Sequence, residues 1–272
     1  VATHVMQQAA LDRLKPLLED ETVRKVGHDL KLDSMLLETH GIALGGLSFD
    51  TMMASYVLDA ARAGHALENA SLEHLGYKAL TEQDVCGRGA KAQALARIAP
   101  EDLLTFAGER ADLALQLSHR LAPKLVSEQL DDVFLQIEMP LVPVLAQIER
   151  AGIRVDRSSL AAQSQHLEGK LARLTARIFE LAGQEFNVNS PKQLGEILFD
   201  KLQLPTLKKT GKTRSASTSV DVLEELARVH ELPRLVLEWR GLHKLKSTYV
   251  DALPALVHPD TTRLHTSFNQ AV

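Results

Sequence analysis

The amino-acid sequence predicts an α/β unit followed by a mainly α-helical one, and three observations carry that reading. Charge is divided along the chain. Residues 1–137 hold 13 Lys and Arg against 20 Asp and Glu, whereas residues 138–272 hold 18 against 15. An acidic half joined to a basic half suggests two domains with different electrostatic tasks. A strand-like run around Val26 interrupts the helices of the first half, and after the acidic break "SEQLDD" the periodicity turns strongly helical. Finally, 272 residues with 45% hydrophobic content suffice to bury a full core and to divide into two domains.

The elements follow in order. "LDRLKPLLED" reads as a helix ending near Glu21, and "VRKVGHDLKLDSMLLETHG" as a short strand and a helix closed by Gly41. "FDTMMASYVLDAA" and "ENASLEHLGY" read as short helices. "APEDLLTFAGERADLALQLSHRLAPKL" is a long one whose start carries Pro100, Glu101 and Asp102, which suit the positive end of a helix dipole. "VFLQIEMPLVPVLAQIERAG" is a helix disturbed by Pro140 and Pro143. The helix of "RSSLAAQSQHLEGKLARLTARIFELAG" closes at Gly183, and "SPKQLGEILFDKL" opens with Ser190 as N-cap and Pro191 at its first position. "LKKTGKTRSASTS" is a loop by composition. Two helices follow, "SVDVLEELARVH" and the one containing "RGLHKLKSTY", and "RLHTSFNQAV" alternates like a strand.

Several functions lack support. No stretch reaches the roughly 18 apolar residues of a membrane helix. The N-terminal residues are polar and amphipathic, unlike a signal peptide. The single cysteine, Cys86, fits a reducing, cytoplasmic setting and is expected in a loop. The eleven histidines show no zinc-ligand spacing.

Two basic features point to phosphate. The loop "LKKTGKTR" carries Lys208, Lys209, Lys212 and Arg214 and no acid, and phosphate contacts need charge and reach more than fixed geometry. At 100° per residue, Leu242, Leu245, Tyr249 and Leu253 fall on one side of the later helix, and Arg240, Lys244, Ser247 and Thr248 on the other. With the stretch "FNVNSPKQ", which supplies Asn189 and Ser190, these form a set suited to a duplex backbone.

"EMPLVPVLAQIERAGIRVD", "FNVNSPKQLGEILFDKLQLP", "RGLHKLKSTYVDALP" and "RLHTSFNQ" resemble, in order and spacing, the thumb and early polymerase region of bacterial DNA polymerase I. "KVGHDLKLD" and "FDTMMASYVLDA" are similar to the later part of its 3′→5′ exonuclease domain. The resemblance runs from about Lys15 onward. It implies a partial ribonuclease-H-like exonuclease domain over residues 1–126, then a helical thumb and the start of the polymerase domain over 127–272. It implies primer–template duplex DNA as partner, gripped by the basic set together with Asn269 and Gln270. The parent would be a monomeric, magnesium-dependent DNA-directed DNA polymerase of replication and repair in the bacterial cytoplasm and nucleoid. The catalytic palm and fingers would lie outside these residues, leaving this piece inactive by itself.

The resemblance also exposes departures. The first exonuclease motif is expected upstream of residue 1. The third places a Tyr and, four residues on, a metal-holding Asp on one helical face. Those positions match Phe106 and Arg110, a ring without its hydroxyl and a permanent cation. Asp112 lies about 200° around the helix from Arg110 and does not replace it. Asp33, matching the second motif, is the remaining expected metal ligand, and even with the upstream strand restored Arg110 is expected to repel the metals or to form an ion pair with Asp33. No metal is expected to be firmly held here. A working proofreading nuclease and a non-catalytic helical module binding an acidic protein stand as alternatives.

Overall fold

The computed structural model describes residues 2–208 and 216–272. Helix α1 (Ala2–Glu19) leads to strand β1 (Lys25–Gly27), which runs parallel to β2 (Leu47–Asp50). Parallel strands need a crossover, and α2 (Leu30–Thr39) supplies it. Gly46 is held at φ 66°, where an added Cβ would collide with the backbone carbonyl of Val23. That close approach lets the Gly46 carbonyl accept from the Lys25 amide at 2.8 Å. Phe49 and Asp50, expected inside a helix, close β2 instead, and α3 (Thr51–Leu58) starts directly after them. The reason lies in Asp50, whose carboxylate caps α3 through the amides of Met52 and Met53.

Helices α4 (Leu67–Leu75) and α5 (Glu82–Cys86) follow, then α6 (Pro100–Ser127) with Pro100 in its first turn. Cys86, expected in a loop, ends α5 and is buried. On α6, Leu113, Leu117, Leu121 and Leu125 recur every fourth residue and are buried, forming one side of a core with Leu30, Met53, Leu67 and Phe134. The proline-disturbed helix runs from 131 to 151 as α7 (Asp131–Val133), a π-helical turn (Phe134–Glu138) and α8 (Met139–Ala151). Within the π turn the Met139 amide bonds to the Phe134 carbonyl, five residues back. Pro140 has no N–H to give, so the wider turn sits immediately before it. The segment 266–272 returns to this unit as irregular chain, in place of the expected strand. Its side chains and amides are committed elsewhere: the Gln270 amide donates to the Glu138 carboxylate at 2.6 Å, and the Phe268 amide to Glu149 at 2.7 Å. Lys31 also reaches Glu149, at 2.6 Å.

The second unit comprises Ile153–His265. Strand β3 (Ile153–Arg154) pairs antiparallel with β4 (Arg263–Leu264). Between them lie α9 (Arg157–Ala182), α10 (Pro191–Gly195) with a π continuation (Glu196–Lys201), α11 (Val220–Leu226), α12 (Glu231–Lys244) with a π continuation (Leu245–Val250), and α13 (Ala252–Ala255). Asp156 caps α9 by accepting from the Ser159 amide at 3.0 Å, and Gly183, at φ 66°, ends it. The core gathers Leu171, Ile178, Leu194, Leu198, Leu223, Leu232, Val236 and Trp239.

Two expectations change here. The expected boundary at 126/127 falls inside the first unit, which extends to Gly152 and takes in Thr266–Val272. Phe134, Met139 and Val142 are buried in the first unit's core, so the helix after the acidic break cannot belong elsewhere. The inward stripe of Leu242, Leu245, Tyr249 and Leu253 also fails as a stripe. Leu245 and Tyr249 are 46% and 49% exposed, while Val250 is buried. A π turn carries more residues than an α turn, so the 100° phase does not survive past Lys244.

Candidate functional site

In the second unit, the start of α10, the segment 216–219 and one side of α12 with its π continuation enclose an open cleft of about 1300 Å³. Asn189, Ser190, Arg240, Lys244, Ser247 and Thr248, expected from the sequence to act together, all line it. Local chemistry fixes the rim. The Asn187 side chain accepts from the Asn189 amide at 2.9 Å, and the Gln193 side chain accepts from the Asn187 amide at 2.6 Å. The Ser190 hydroxyl caps α10 by accepting from the Gln193 amide at 3.4 Å.

The cations of the cleft are not equivalent. Lys244 is exposed at the cleft wall. Arg240 is half-buried and donates to the Thr218 carbonyl at 2.8 Å, so it braces the opposite wall. Burial lowers its pKa from the usual guanidinium value. Lys208 stands outside the cleft lining and lies 3.4 Å from the Asp221 carboxylate. Lys209, Lys212 and Arg214 lie outside the described residues. Asn269 and Gln270 belong to the other unit, where Gln270 serves Glu138. Sequence reasoning missed Lys192, His243 and Ser217–Ser219, which also line the cleft. Lys192 follows Pro191 within "FNVNSPKQ" and was legible there. His243 was not, since its place depends on α12 packing. Glu196 and Asp200 put two acids on the α10 wall.

In the first unit, Asp33, Phe106 and Arg110 do come near one another. Gly27 leaves room: an added Cβ would stand 2.5 Å from Leu30 Cδ2 and 3.5 Å from Asp33 Oδ2. The Asp33 carboxyl titrates at about 6, raised first by burial, then by the Asp29 and Asp50 charges, with Arg110 pulling the other way. Although Asp33 is exposed as a residue, its acid end lies against the protein. Phe106 is buried, and the Arg110 guanidinium stands 5.2 Å from its ring centroid. Of the two alternatives for Arg110, pairing with Asp33 is not the one formed: its ion pair is with Glu68 on α4, at 2.7 Å. Glu68 is available because α4 packs along α6 beside Arg110. Asp112 is exposed and accepts from Gln116 at 2.6 Å. His28 donates or accepts through Nδ1 with Thr51 at 2.9 Å. Its pKa falls to about 4 through burial first and the Arg110 charge second.

The model of the family described as DNA polymerase family A matches residues 157–272, and that described as DNA polymerase I, ribonuclease H-like domain, matches residues 1–116. DNA polymerase I of Pseudomonas aeruginosa is 46% identical over 270 residues, covering 98% of this chain and 30% of that protein. DNA polymerase I of Rhizobium leguminosarum is 47% identical over 264 residues, covering 96% of this chain and 26% of that protein. The chain belongs to the bacterial DNA polymerase I family. It spans less than a third of the length of these DNA polymerase I relatives. A solved structure of the POL domain of Pol1 from M. smegmatis, in complex with DNA primer-template and dNTP, superposes with a TM-score of 0.80 at 27% identity. That likeness covers 95% of this chain and 41% of the other.

The ribonuclease H-like part of the DNA polymerase I family implies a two-metal nuclease centre, and the residues here do not fit one. Arg110, which the resemblance matched to the third motif's acidic position, is paired with Glu68 at 2.7 Å. Asp50 spends both oxygens on the amides of Asp29, Leu30, Met52 and Met53. Among the described residues no group of three or more His, Cys, Asp or Glu side chains is placed to hold an ion. No helix of the described residues is long and apolar enough to cross a membrane.

Proposed function

We propose that the second unit grips primer–template duplex DNA for a template-directed, magnesium-dependent DNA polymerase of replication and repair. The observation that carries this reading is the convergence of Asn189, Ser190, Arg240, Lys244, Ser247 and Thr248 on one cleft, in the part of the chain that matches the family A polymerase model. Hydroxyls, amides and a lysine answer to the phosphate and sugar of a backbone, where position is fixed and sequence is not read. Lys208, Lys209, Lys212 and Arg214 stay in this reading on their sequence alone, whereas Asn269 and Gln270, which lie in the first unit, do not line the cleft. The working setting is the bacterial cytoplasm and nucleoid, with the protein acting as a monomer.

The exonuclease-like unit, in this reading, keeps its fold and has lost its chemistry. Arg110 supports it: a guanidinium bound to Glu68 and laid over Phe106 does the structural work of joining α4 to α6. The alternative of an acidic protein partner is separated by competition. Labelled duplex DNA bound by the chain should be displaced by unlabelled duplexes of unrelated sequence and not by an acidic polypeptide of equal charge. Displacement by the polypeptide alone would transfer the cleft to a protein partner.

A further inference from the structure

His243 is not explained by backbone contact, yet it lines the cleft. Its ring lies flat on Trp239, with centroids 4.6 Å apart and an interplanar angle of 14°. Trp239 is itself fixed, because its indole N–H donates to the Thr175 hydroxyl at 2.9 Å and its ring is buried in the unit's core. The imidazole therefore rests on a buried ring that is hydrogen-bonded in place. From there Nε2 faces the Asn189 side-chain nitrogen at 3.5 Å. The backbone carbonyl of His243 accepts from the Ser247 hydroxyl at 2.8 Å, so the same residue also directs a second polar group of the cleft.

The Asn189 backbone is held by Asn187, which leaves its side-chain torsions as the undetermined part of the contact. An amide nitrogen has two N–H groups. If one is given to His243 Nε2, the amide plane is fixed and the other N–H is presented to an acceptor in the cleft. Phosphate oxygens and the minor-groove atoms N3 of adenine and O2 of thymine are all acceptors. Without the imidazole, the amide would rotate and offer donor or acceptor at random. Nε2 accepts only in the neutral ring with its proton on Nδ1, which defines the tautomer this role requires.

We propose that His243 is a positioning residue that orients the Asn189 amide toward acceptor atoms of duplex DNA. This rests on the duplex-holding reading above. The test is a double-mutant cycle in the 272-residue chain, read as equilibrium duplex affinity. His243→Phe keeps a ring on Trp239 and removes the acceptor, and should weaken binding about fivefold, the worth of one ordinary hydrogen bond. Asn189→Ala should weaken it at least as much, and adding His243→Phe to Asn189→Ala should cost nothing further. His243→Gln restores an acceptor and should bind close to the unaltered chain. A merely structural role for His243 would give additive losses in the cycle and no rescue by Gln, and either result overturns the proposal. Lys244→Ala serves as the control. If it leaves duplex binding unchanged, the duplex reading of the cleft fails and this proposal with it. If it weakens binding while the His243 and Asn189 losses add, only the positioning role is wrong.

Discussion

Replacing Lys192 and Lys244 together by Ala removes two exposed cations of the cleft without touching the hydrogen bonds that brace it. Duplex binding releases counterions in proportion to the phosphates neutralised, so log K falls with log salt by about 0.9 per phosphate. Leaving two phosphates without a lysine should flatten that slope by about 1.8. Over a rise from about 50 to about 200 mM salt, the affinity gap between altered and unaltered chains should narrow by about tenfold. Both side chains are solvent-exposed and face the cleft, so thermal stability should stay within about 0.5 kcal/mol. The assay is fluorescence anisotropy with an end-labelled duplex at several salt concentrations, repeated with two unrelated sequences. The loss of affinity should be equal for both, because phosphate contacts position and do not read bases. An unchanged slope, or a loss confined to one sequence, would refute the assignment of these lysines to phosphate.

Further expectations concern the framework and the degenerate centre. Asp50→Ala should cost at least about 3 kcal/mol in chemical denaturation, because buried amides at the start of α2 and α3 lose their acceptor. Gly46→Ala should destabilise by more than about 2 kcal/mol, since a positive φ coincides with a collision against the Val23 carbonyl. The folded-state pKa of Asp33 is raised to about 6 from 3.8, so the unaltered chain gains stability as pH falls through 6 toward 4. Asp33→Asn should therefore be stabilising above pH about 6, with the gain shrinking as pH falls toward about 4, as denaturation curves across that range would show. In a full-length DNA polymerase I carrying these residues, Phe106→Tyr with Arg110→Asp is the variant in which 3′→5′ digestion of single-stranded DNA with magnesium would return. Strong digestion by the unaltered protein would contradict the reading of Arg110.

Much of this was legible because local signals and tertiary demands agree. Ser190 and Pro191 announce α10 in sequence and cap it in the structure. The four-residue offset of Phe106 and Arg110 survives because α6 is regular there, and the ring lies under the guanidinium. What failed has two causes. Asp50 reads as part of a helix until the β1–β2 pairing is known, since only a tertiary partner turns Leu47–Asp50 into a strand. The stripe of Leu245 and Tyr249 failed because π turns break the 3.6-residue phase, and no local residue announces them except the proline at 140. Glu68 as the partner of Arg110 is a contact across 42 residues, beyond any periodicity argument.

The most direct test of duplex gripping by the second unit places a photocrosslinking side chain at Ser247, inside the cleft, and separately at Leu104, an exposed position of the first unit. Irradiated with labelled duplex DNA, the chain altered at 247 should form a DNA adduct that unlabelled duplex suppresses, and the chain altered at 104 should not. An adduct at 104 with none at 247 would contradict the assignment of the duplex to this cleft.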